Sequence, residues 1–135
     1  MMAVRYLVTS ALPYANGPLH LGHLAGAYLP ADTYVRFLRM RGEDVIYVCG
    51  TDEHGVPITI TAEKQGRTPR EVVDEYHETI HREFEAFGIS FDNFSRTSLP
   101  THHEFAQKVF LDLLGKDLIV ERTMSQLFCP RCSRF

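Results

Sequence analysis

Hydrophobic positions in the first fifty residues alternate between strand-like runs and helical spacing. Residues 5–10 form a β-branched and aromatic run that ends in a turn-rich loop. Apolar residues at helical spacing then predict a helix from Leu21 to Met40, with a kink or break at Pro30. A second apolar run, residues 44–49, predicts another strand. A strand, a helix and a strand in this order predict a right-handed βαβ crossover with parallel strands.

The middle of the chain predicts a helix with a clear start. Residues 58–65 are compatible with either a strand or a short helix that follows Pro57. Thr68 and Glu71 then form a capping box, which predicts a helix that ends at Gly88. Its apolar face is expected to consist of Val73, Tyr76, Ile80, Phe84 and Phe87.

The last third of the chain predicts one more helix and one more strand. Thr101 and Glu104 form a second capping box, which predicts a helix that ends at Gly115. Residues 118–120 are apolar and partly β-branched, which predicts a strand.

Composition narrows the class of protein. The chain has 135 residues, of which 44% are hydrophobic and 23% charged, a balance typical of a globular domain. A net charge of −3 excludes nucleic-acid binding through overall positive charge, but not through a local site. No apolar run reaches the ~18 residues of a membrane helix. Cys129 and Cys132 have the spacing of metal ligands or free thiols, which favours the cytosol over an oxidising compartment.

The first candidate site is the loop and helix start at residues 11–23. Ligands of open α/β sheets bind at the carboxyl ends of the strands, and the amides of a helix start favour a phosphate. His20 and His23 can donate hydrogen bonds to negative charge that develops in a transition state. Gly22 lets a ligand approach the backbone closely. An isolated pair of histidines is usually a surface feature, but its place after a strand and a turn favours a phosphate site.

The second candidate site is the loop at residues 50–55, which follows the second strand. Because the strands are predicted to be parallel, this loop lies at the same edge of the sheet as the first. Asp52 is placed to pair with an ammonium group. The alternative is an acidic turn that caps the next helix.

The sequence His20-Leu21-Gly22-His23 resembles the signature motif of class I aminoacyl-tRNA synthetases. The longer match, which adds residues 11–17 and Asp52-Glu53-His54-Gly55, resembles the methionyl-tRNA synthetase family, and the resemblance covers nearly the whole chain. It implies an α/β fold with a Rossmann-like nucleotide-binding domain and a parallel sheet. It also implies a ligase that uses ATP and Mg²⁺ to activate methionine as methionyl-adenylate and then transfers methionine to its tRNA.

The resemblance implies a role for each motif residue. His20 and His23 are expected to be catalytic through contact with the ATP phosphates, with Gly22 under the adenine or ribose. Asp52 is expected to hold the α-ammonium group of methionine. Further expected contacts are Tyr14 and Asn16 for ATP, and Ala11, Leu12 and Tyr14 for methionine.

The resemblance further implies an amino-terminal fragment that is inactive alone. Residues 1–115 correspond to the first part of the catalytic domain, and residues 116–135 to the start of a connective insertion. Cys129 and Cys132 then represent half of a zinc knuckle, whose closed site needs four protein ligands. Most tRNA contacts are expected outside the fragment. We expect a cytoplasmic protein without membrane attachment, and the sequence does not indicate its oligomeric state.

Two other functions compete with this interpretation. Residues 77–81, His-Glu-Thr-Ile-His, match the motif of zinc-dependent hydrolases, in which two helical histidines bind zinc and the glutamate activates water. On a helical wheel His77 and His81 lie beside the apolar face, Glu78 points toward solvent, and Glu104 is the one candidate third ligand. Chance spacing is therefore favoured. A non-catalytic nucleotide-binding module is the other alternative, and it would bind ATP or methionine without forming adenylate.

Overall fold

The computed structural model describes residues 4–131, which form two compact units, residues 4–102 and 103–131. The first unit contains the strands named below and most of the helices, and the second unit begins inside the last helix. In chain order the elements are β1 (Arg5–Thr9), α1 (Leu21–His23), a π-helical segment (Leu24–Tyr28), α2 (Leu29–Met40), β2 (Asp44–Thr51), α3 (Val56–Gln65), α4 (Pro69–Ala86), β3 (Asn93–Arg96) and α5 (Pro100–Leu114).

The strands of the first unit form a parallel sheet in the order β1-β2-β3. Arg5 is paired with Asp44 at the amino end of the sheet, and Thr51 with Arg96 at its carboxyl end. Helices α1 and α2 connect β1 to β2, while α3 and α4 connect β2 to β3. The predicted α/β fold with a parallel sheet is therefore confirmed.

The helix predicted from Leu21 to Met40 is present, and it contains a π-helical turn just before Pro30. The amide of Leu29 donates to the carbonyl of Leu24, five residues earlier, and Pro30 lies in the first turn of α2. A proline inside a regular helix removes one hydrogen bond and collides with the carbonyl four residues before it. The wider π-helical turn allows the chain to continue as a helix without that collision.

Helix α4 begins at the predicted capping box and covers one face of the sheet. Thr68 accepts a hydrogen bond from the Glu71 amide at 3.3 Å, and the Glu71 side chain accepts one from the Thr68 amide at 2.8 Å. The helix buries Ile80 and Phe84 completely. The Phe84 ring contacts three aromatic rings edge-on, and these belong to Tyr28, Phe91 and Phe94.

Strand β3 was not predicted, and its closeness to β2 depends on a glycine. Its sequence, Asn-Phe-Ser-Arg, is short and mostly polar, so that it has no strand-like apolar pattern. A Cβ atom on Gly50 would lie 2.6 Å from the carbonyl oxygen of Ser95. The close approach of the two backbones therefore requires glycine at position 50.

Three local predictions are settled by these elements. The ambiguous segment 58–65 is helical and belongs to α3, which ends at Gly66 with a left-handed φ of 64°. Helix α5 begins at Pro100, so that Thr101 lies inside the helix and the prediction of Thr101 as its cap is wrong. The strand predicted at residues 118–120 is also wrong, because that segment has no regular structure. No helix among the described residues is both long and apolar enough to span a lipid bilayer.

Candidate active site

The two loops that follow β1 and β2 are joined by their backbones. The amide of Asp52 donates to the carbonyl of Pro13 at 2.8 Å, and the amide of Ala15 donates to the carbonyl of Asp52 at 2.9 Å. Tyr14 and Asp52 thereby form one more parallel bridge beyond the ends of the strands. The two sequence-predicted site loops thus lie side by side at the carboxyl edge of the sheet.

His20 and His23 form a reciprocal cap at the start of α1. The Nδ1 atom of His20 accepts from the His23 amide at 3.3 Å, and the Nδ1 atom of His23 accepts from the His20 amide at 3.4 Å. The two rings stack with their centroids 3.6 Å apart and their planes 16° from parallel. Burial, and next the neighbouring His20, lower the pKa of His23, which favours its neutral form near pH 7.

This cap determines what the two rings offer to a ligand. An Nδ1 atom that accepts a hydrogen bond carries no proton, so the proton of each neutral ring is on Nε2. Both rings therefore have an N–H donor on the edge away from the cap. Gly22 leaves room for the His20 ring, since a Cβ atom there would lie 3.0 Å from its Cε1 atom, closer than most Cβ contacts.

Asp52 lies half-buried at the centre of the joined loops. Its Oδ1 atom accepts a hydrogen bond from the amide of His54 at 3.2 Å, which bends the loop after β2. None of the ion pairs among residues 4–131 involves Asp52. Its carboxylate is thus suited to a cation from a ligand.

The other predicted contact residues line the first loop beside Asp52. Leu12 and Tyr14 each expose about half of their surface, 49% and 48%, although both are large apolar or aromatic residues. The backbone of Ala11 is fixed by the Tyr28 hydroxyl, which donates to its carbonyl at 2.9 Å. Asn16 is half-buried in the turn before Gly17. The first loop therefore presents an apolar surface next to a carboxylate.

A buried polar network under the second loop was missed by sequence reasoning. Glu53 has a fully buried side chain, and its Oε2 atom accepts from Nε of Arg96 at 2.8 Å. Its Oε1 atom accepts from the hydroxyl of Thr51 at 2.9 Å. Nδ1 of His77 lies 2.8 Å from the same hydroxyl. Arg96 also pairs with Asp74 on α4 at 2.5 Å, so the network joins β2, β3 and α4.

The role of His77 follows from this hydrogen-bond chain. Because the Thr51 hydroxyl donates to Glu53, its oxygen accepts from His77, which carries its proton on Nδ1. Burial, followed by the charge of Arg96, lowers the pKa of His77, and the nearby Glu53 and Glu78 oppose that shift. His77 is thus a neutral hydrogen-bond donor inside the protein.

The sequence did hold a signal for this network. At 100° per residue His77 lies about 20° beyond Phe84, at the edge of the arc of α4 that carries Val73, Ile80 and Phe84. Thr51 and Glu53 continue the inward alternation of Tyr47 and Cys49 along β2. Strand periodicity therefore indicates that Thr51 and Glu53 are buried, and helix periodicity puts His77 at the margin of the apolar face.

The described residues do not form a zinc site. Cys129 is exposed, and Cys132 lies outside the described residues. His77 is engaged with Thr51, His81 stacks on Phe94 with 5.1 Å between ring centroids, and Glu78 is exposed. Between residues 4 and 131 no three His, Cys, Asp or Glu side chains are grouped to hold a metal. The hydrolase interpretation has no support from this geometry.

A family model and several known proteins are similar to this chain. The family described as tRNA synthetases class I (M) matches residues 6–135. The methionine–tRNA ligase of Rubrobacter xylanophilus is 61% identical over 97% of this chain and 23% of its own length. The methionine–tRNA ligase of Thermococcus kodakarensis is 58% identical over 98% of this chain and 18% of its own length. The chain thus spans about a fifth of the length of these curated relatives.

The solved structures agree with the sequence comparison. Methionyl-tRNA synthetase of Mycobacterium tuberculosis bound by methionyl-adenylate superposes with a TM-score of 0.81 and 32% identity. The match covers 84% of this chain and 22% of the other. The fold is that of a class I tRNA synthetase. The chain belongs to the methionine family of that class, and the resemblance noted in the sequence is confirmed.

Proposed function

We propose that this chain supplies one wall of the active site of a methionine–tRNA ligase. The reaction joins the methionine carboxylate to the α-phosphate of ATP with loss of pyrophosphate, and then transfers methionine to its tRNA. The observation that carries this proposal is the backbone bridge between the two loops, which holds the Asp52 carboxylate beside the loop of His20 and His23. A carboxylate for an ammonium group and two donors for phosphates are thus side by side.

His20 and His23 act on the phosphates. The methionine carboxylate is itself the nucleophile, so the first step needs alignment and charge stabilisation more than a protein base. The two Nε2–H groups supply donors to the negative charge that builds up on the α-phosphate. The reciprocal cap holds both rings in place before ATP arrives, so that little reorganisation is needed. Gly22 gives the adenine or ribose access to the backbone, and Tyr14 and Asn16 are further ATP contacts.

Asp52 and the first loop bind methionine. The α-ammonium group pairs with the Asp52 carboxylate, and the half-exposed side chains of Leu12 and Tyr14 cover part of the thioether chain. Ala11 contributes a small residue next to them.

Metal ions and tRNA enter the proposal with narrower roles. Mg²⁺ arrives with ATP, and the chemistry that it supplies is neutralisation of phosphate charge. Cys129 and Cys132 would give two thiolate ligands to a structural zinc in residues 116–135, the proposed start of a connective insertion, and the remaining ligands would come from outside this chain. We place most tRNA contacts outside it as well, and we assign the protein to the cytoplasm.

The proposal is tested in a chimera in which this chain replaces the matching segment of the Rubrobacter xylanophilus relative. Methionine-dependent exchange between pyrophosphate and ATP measures adenylate formation. We expect Asp52→Ala to lower kcat/KM for methionine. The loss of transition-state stabilisation should be about 2–5 kcal/mol, the usual cost of removing one partner of a buried charge pair. The KM for ATP should change far less.

His20→Ala and His23→Ala should give the opposite pattern. Each should slow adenylate formation by about 10²–10³-fold, the usual effect of losing an oxyanion donor, with little change in methionine binding. Asp44→Asn is the matched control, because Asp44 is exposed at the other end of β2. Retained ATP and methionine binding without any exchange in the unsubstituted chimera would favour the non-catalytic module instead. Equal exchange by Asp52→Ala and the unsubstituted chimera would contradict the assignment of Asp52.

A further inference from the structure

We propose that Glu53 is a positioning residue that sets the orientation of the Asp52 carboxylate. This inference rests on the proposed function, in which Asp52 binds the methionine ammonium group. Glu53 has no access to a ligand, since its side chain is fully buried. It acts through its place in the chain next to Asp52 and through its hydrogen bonds to Thr51, Arg96 and Thr97.

Glu53 is fixed at both its side chain and its backbone. Arg96 and Thr51 donate to different carboxylate oxygens, at 2.8 and 2.9 Å. The amide of Glu53 donates to the hydroxyl of Thr97 at 2.9 Å, and the amide of Thr97 donates to the carbonyl of Thr51 at 3.1 Å. The residues on either side of Asp52 are thus bound to the end of β3.

A buried carboxylate of this kind permits one arrangement only. Removal of a charge from water is costly unless that charge is paired and its remaining lone pairs accept hydrogen bonds. The Glu53 pairs satisfy that condition in the observed rotamer, and any other rotamer would separate the carboxylate from Arg96. No buried side-chain nitrogen or oxygen in the described range lacks a partner. The network is therefore complete and specifies a single geometry.

The hydrogen bonds of Glu53 set the direction of the Asp52 side chain. Thr51 and Glu53 are both buried, while Asp52 between them is half-exposed, as the alternation of an extended segment requires. On its other side the Asp52 backbone is bonded to Pro13 and Ala15 of the first loop. Both residues that flank Asp52 are therefore held in place. This blocks a rotation of the segment that would turn the Asp52 carboxylate away from the first loop.

The first experiment uses the 135-residue chain and does not depend on activity. Thr51→Val removes the hydroxyl that links Glu53 to His77 without a change in shape, and Thr51→Ser keeps that hydroxyl. Amide hydrogen exchange of Asp52 and Ala15 reports on the bridge between the loops. We expect exchange about 10-fold faster in Thr51→Val, in line with the loss of a buried hydrogen bond, and near the unsubstituted rate in Thr51→Ser. Equal exchange in both variants would overturn the proposal.

The second experiment measures kinetics in the chimera described above. Glu53→Gln removes the charge that pairs with Arg96 and leaves Asp52 in place. We expect KM for methionine to rise by about 10- to 100-fold, with KM for ATP and kcat within about threefold, since a small displacement of one contact has such effects. Asp44→Asn, which removes an exposed carboxylate paired with Arg5, should change neither constant.

The outcomes separate the inference from the function on which it rests. Loss of kcat alone, or an equal rise in both KM values, would show that Glu53 supports the fold in general and would overturn the positioning role. If Glu53→Gln does not fold, Thr51→Val and Thr51→Ser in the chimera provide the same comparison of KM values. If the unsubstituted chimera shows no methionine-dependent exchange, the proposed function fails, while amide exchange in the chain still decides whether the anchor holds Asp52.

Discussion

Substitution of Gly50 by alanine tests whether the close contact of β2 and β3 holds the fold and the second loop together. The added Cβ atom would lie 2.6 Å from the Ser95 oxygen and 2.8 Å from its carbonyl carbon, both of which are backbone atoms. Ordinary contact would need roughly 1 Å more, and no flexible side chain is available to move. The strands must therefore separate at the pair next to Thr51 and Arg96.

The cost of this separation can be worked from its parts. Overpacking of a tight interior site costs about 1–3 kcal/mol. A lengthened strand hydrogen bond adds about 1 kcal/mol, and displacement of Arg96 weakens its buried pair with Glu53. We expect the free energy of unfolding to fall by about 2–4 kcal/mol. For a unit of this size each kcal/mol lowers Tm by about 4–8 °C.

Thermal unfolding of the 135-residue chain, followed by circular dichroism, measures the effect. Gly26→Ala is the matched control, because no heavy atom lies within 4 Å of its added Cβ and the residue is in a helical segment. The control should be neutral or more stable by up to about 1 kcal/mol, the helix preference of alanine over glycine. A Gly50→Ala variant as stable as the Gly26→Ala variant would refute the reasoning.

Two further predictions concern the mostly buried His77 and the buried Cys49. The pKa of His77 lies below its usual value of 6.5, so the unfolded chain binds a proton more readily than the folded one. The stability that neutral His77 contributes is therefore complete above pH 6.5 and decreases as the pH falls toward the pKa of the folded state. His77→Asn keeps a hydrogen-bond donor but cannot titrate, so the free energy of unfolding in urea should depend less on pH in this variant. An unchanged pH dependence would count against the prediction. Burial raises the pKa of Cys49 to about 11, so the folded chain holds almost no reactive thiolate at this position. In a variant with Cys129→Ser and Cys132→Ser, a thiol reagent should therefore label Cys49 only at the rate of unfolding. Rapid labelling of the folded chain would contradict the burial of Cys49.

The parallel sheet and the two loops were predictable because their signals are local. Apolar strands, glycine-rich turns and a capping box are each read within a few residues, and the rule that parallel strands share a carboxyl edge brings the loops together. Strand β3 escaped prediction because its place is set by partners far away in sequence. Phe94 packs against Phe84, and Arg96 pairs with Glu53 forty-three residues earlier. A polar strand of this kind is stable only within the folded chain.

The interpretation of His77 shows a second limit of sequence reasoning. Its motif with His81 was explained as chance spacing on a solvated helix, and His77 is in fact a mostly buried partner of Thr51. Periodicity could show that His77 lies at the edge of the apolar face, but only the packing of α4 against β2 could show what it contacts there. The same holds for Glu53, whose buried charge makes sense only with Arg96 beside it.

Helix α4 contacts both site loops, and this connects the stability of the first unit to its candidate site. Through His77 it contacts the second loop, and through Glu83 it contacts the first, since the Glu83 carboxylate accepts the amide of Leu19 at 2.9 Å. Leu19 directly precedes the histidine cap. The same helix buries Ile80, which lies between these two contacts, and Phe84, which directly follows Glu83. Because His77 and Glu83 belong to one helix, a shift of α4 against the sheet would move the anchors of Asp52 and of His20 together.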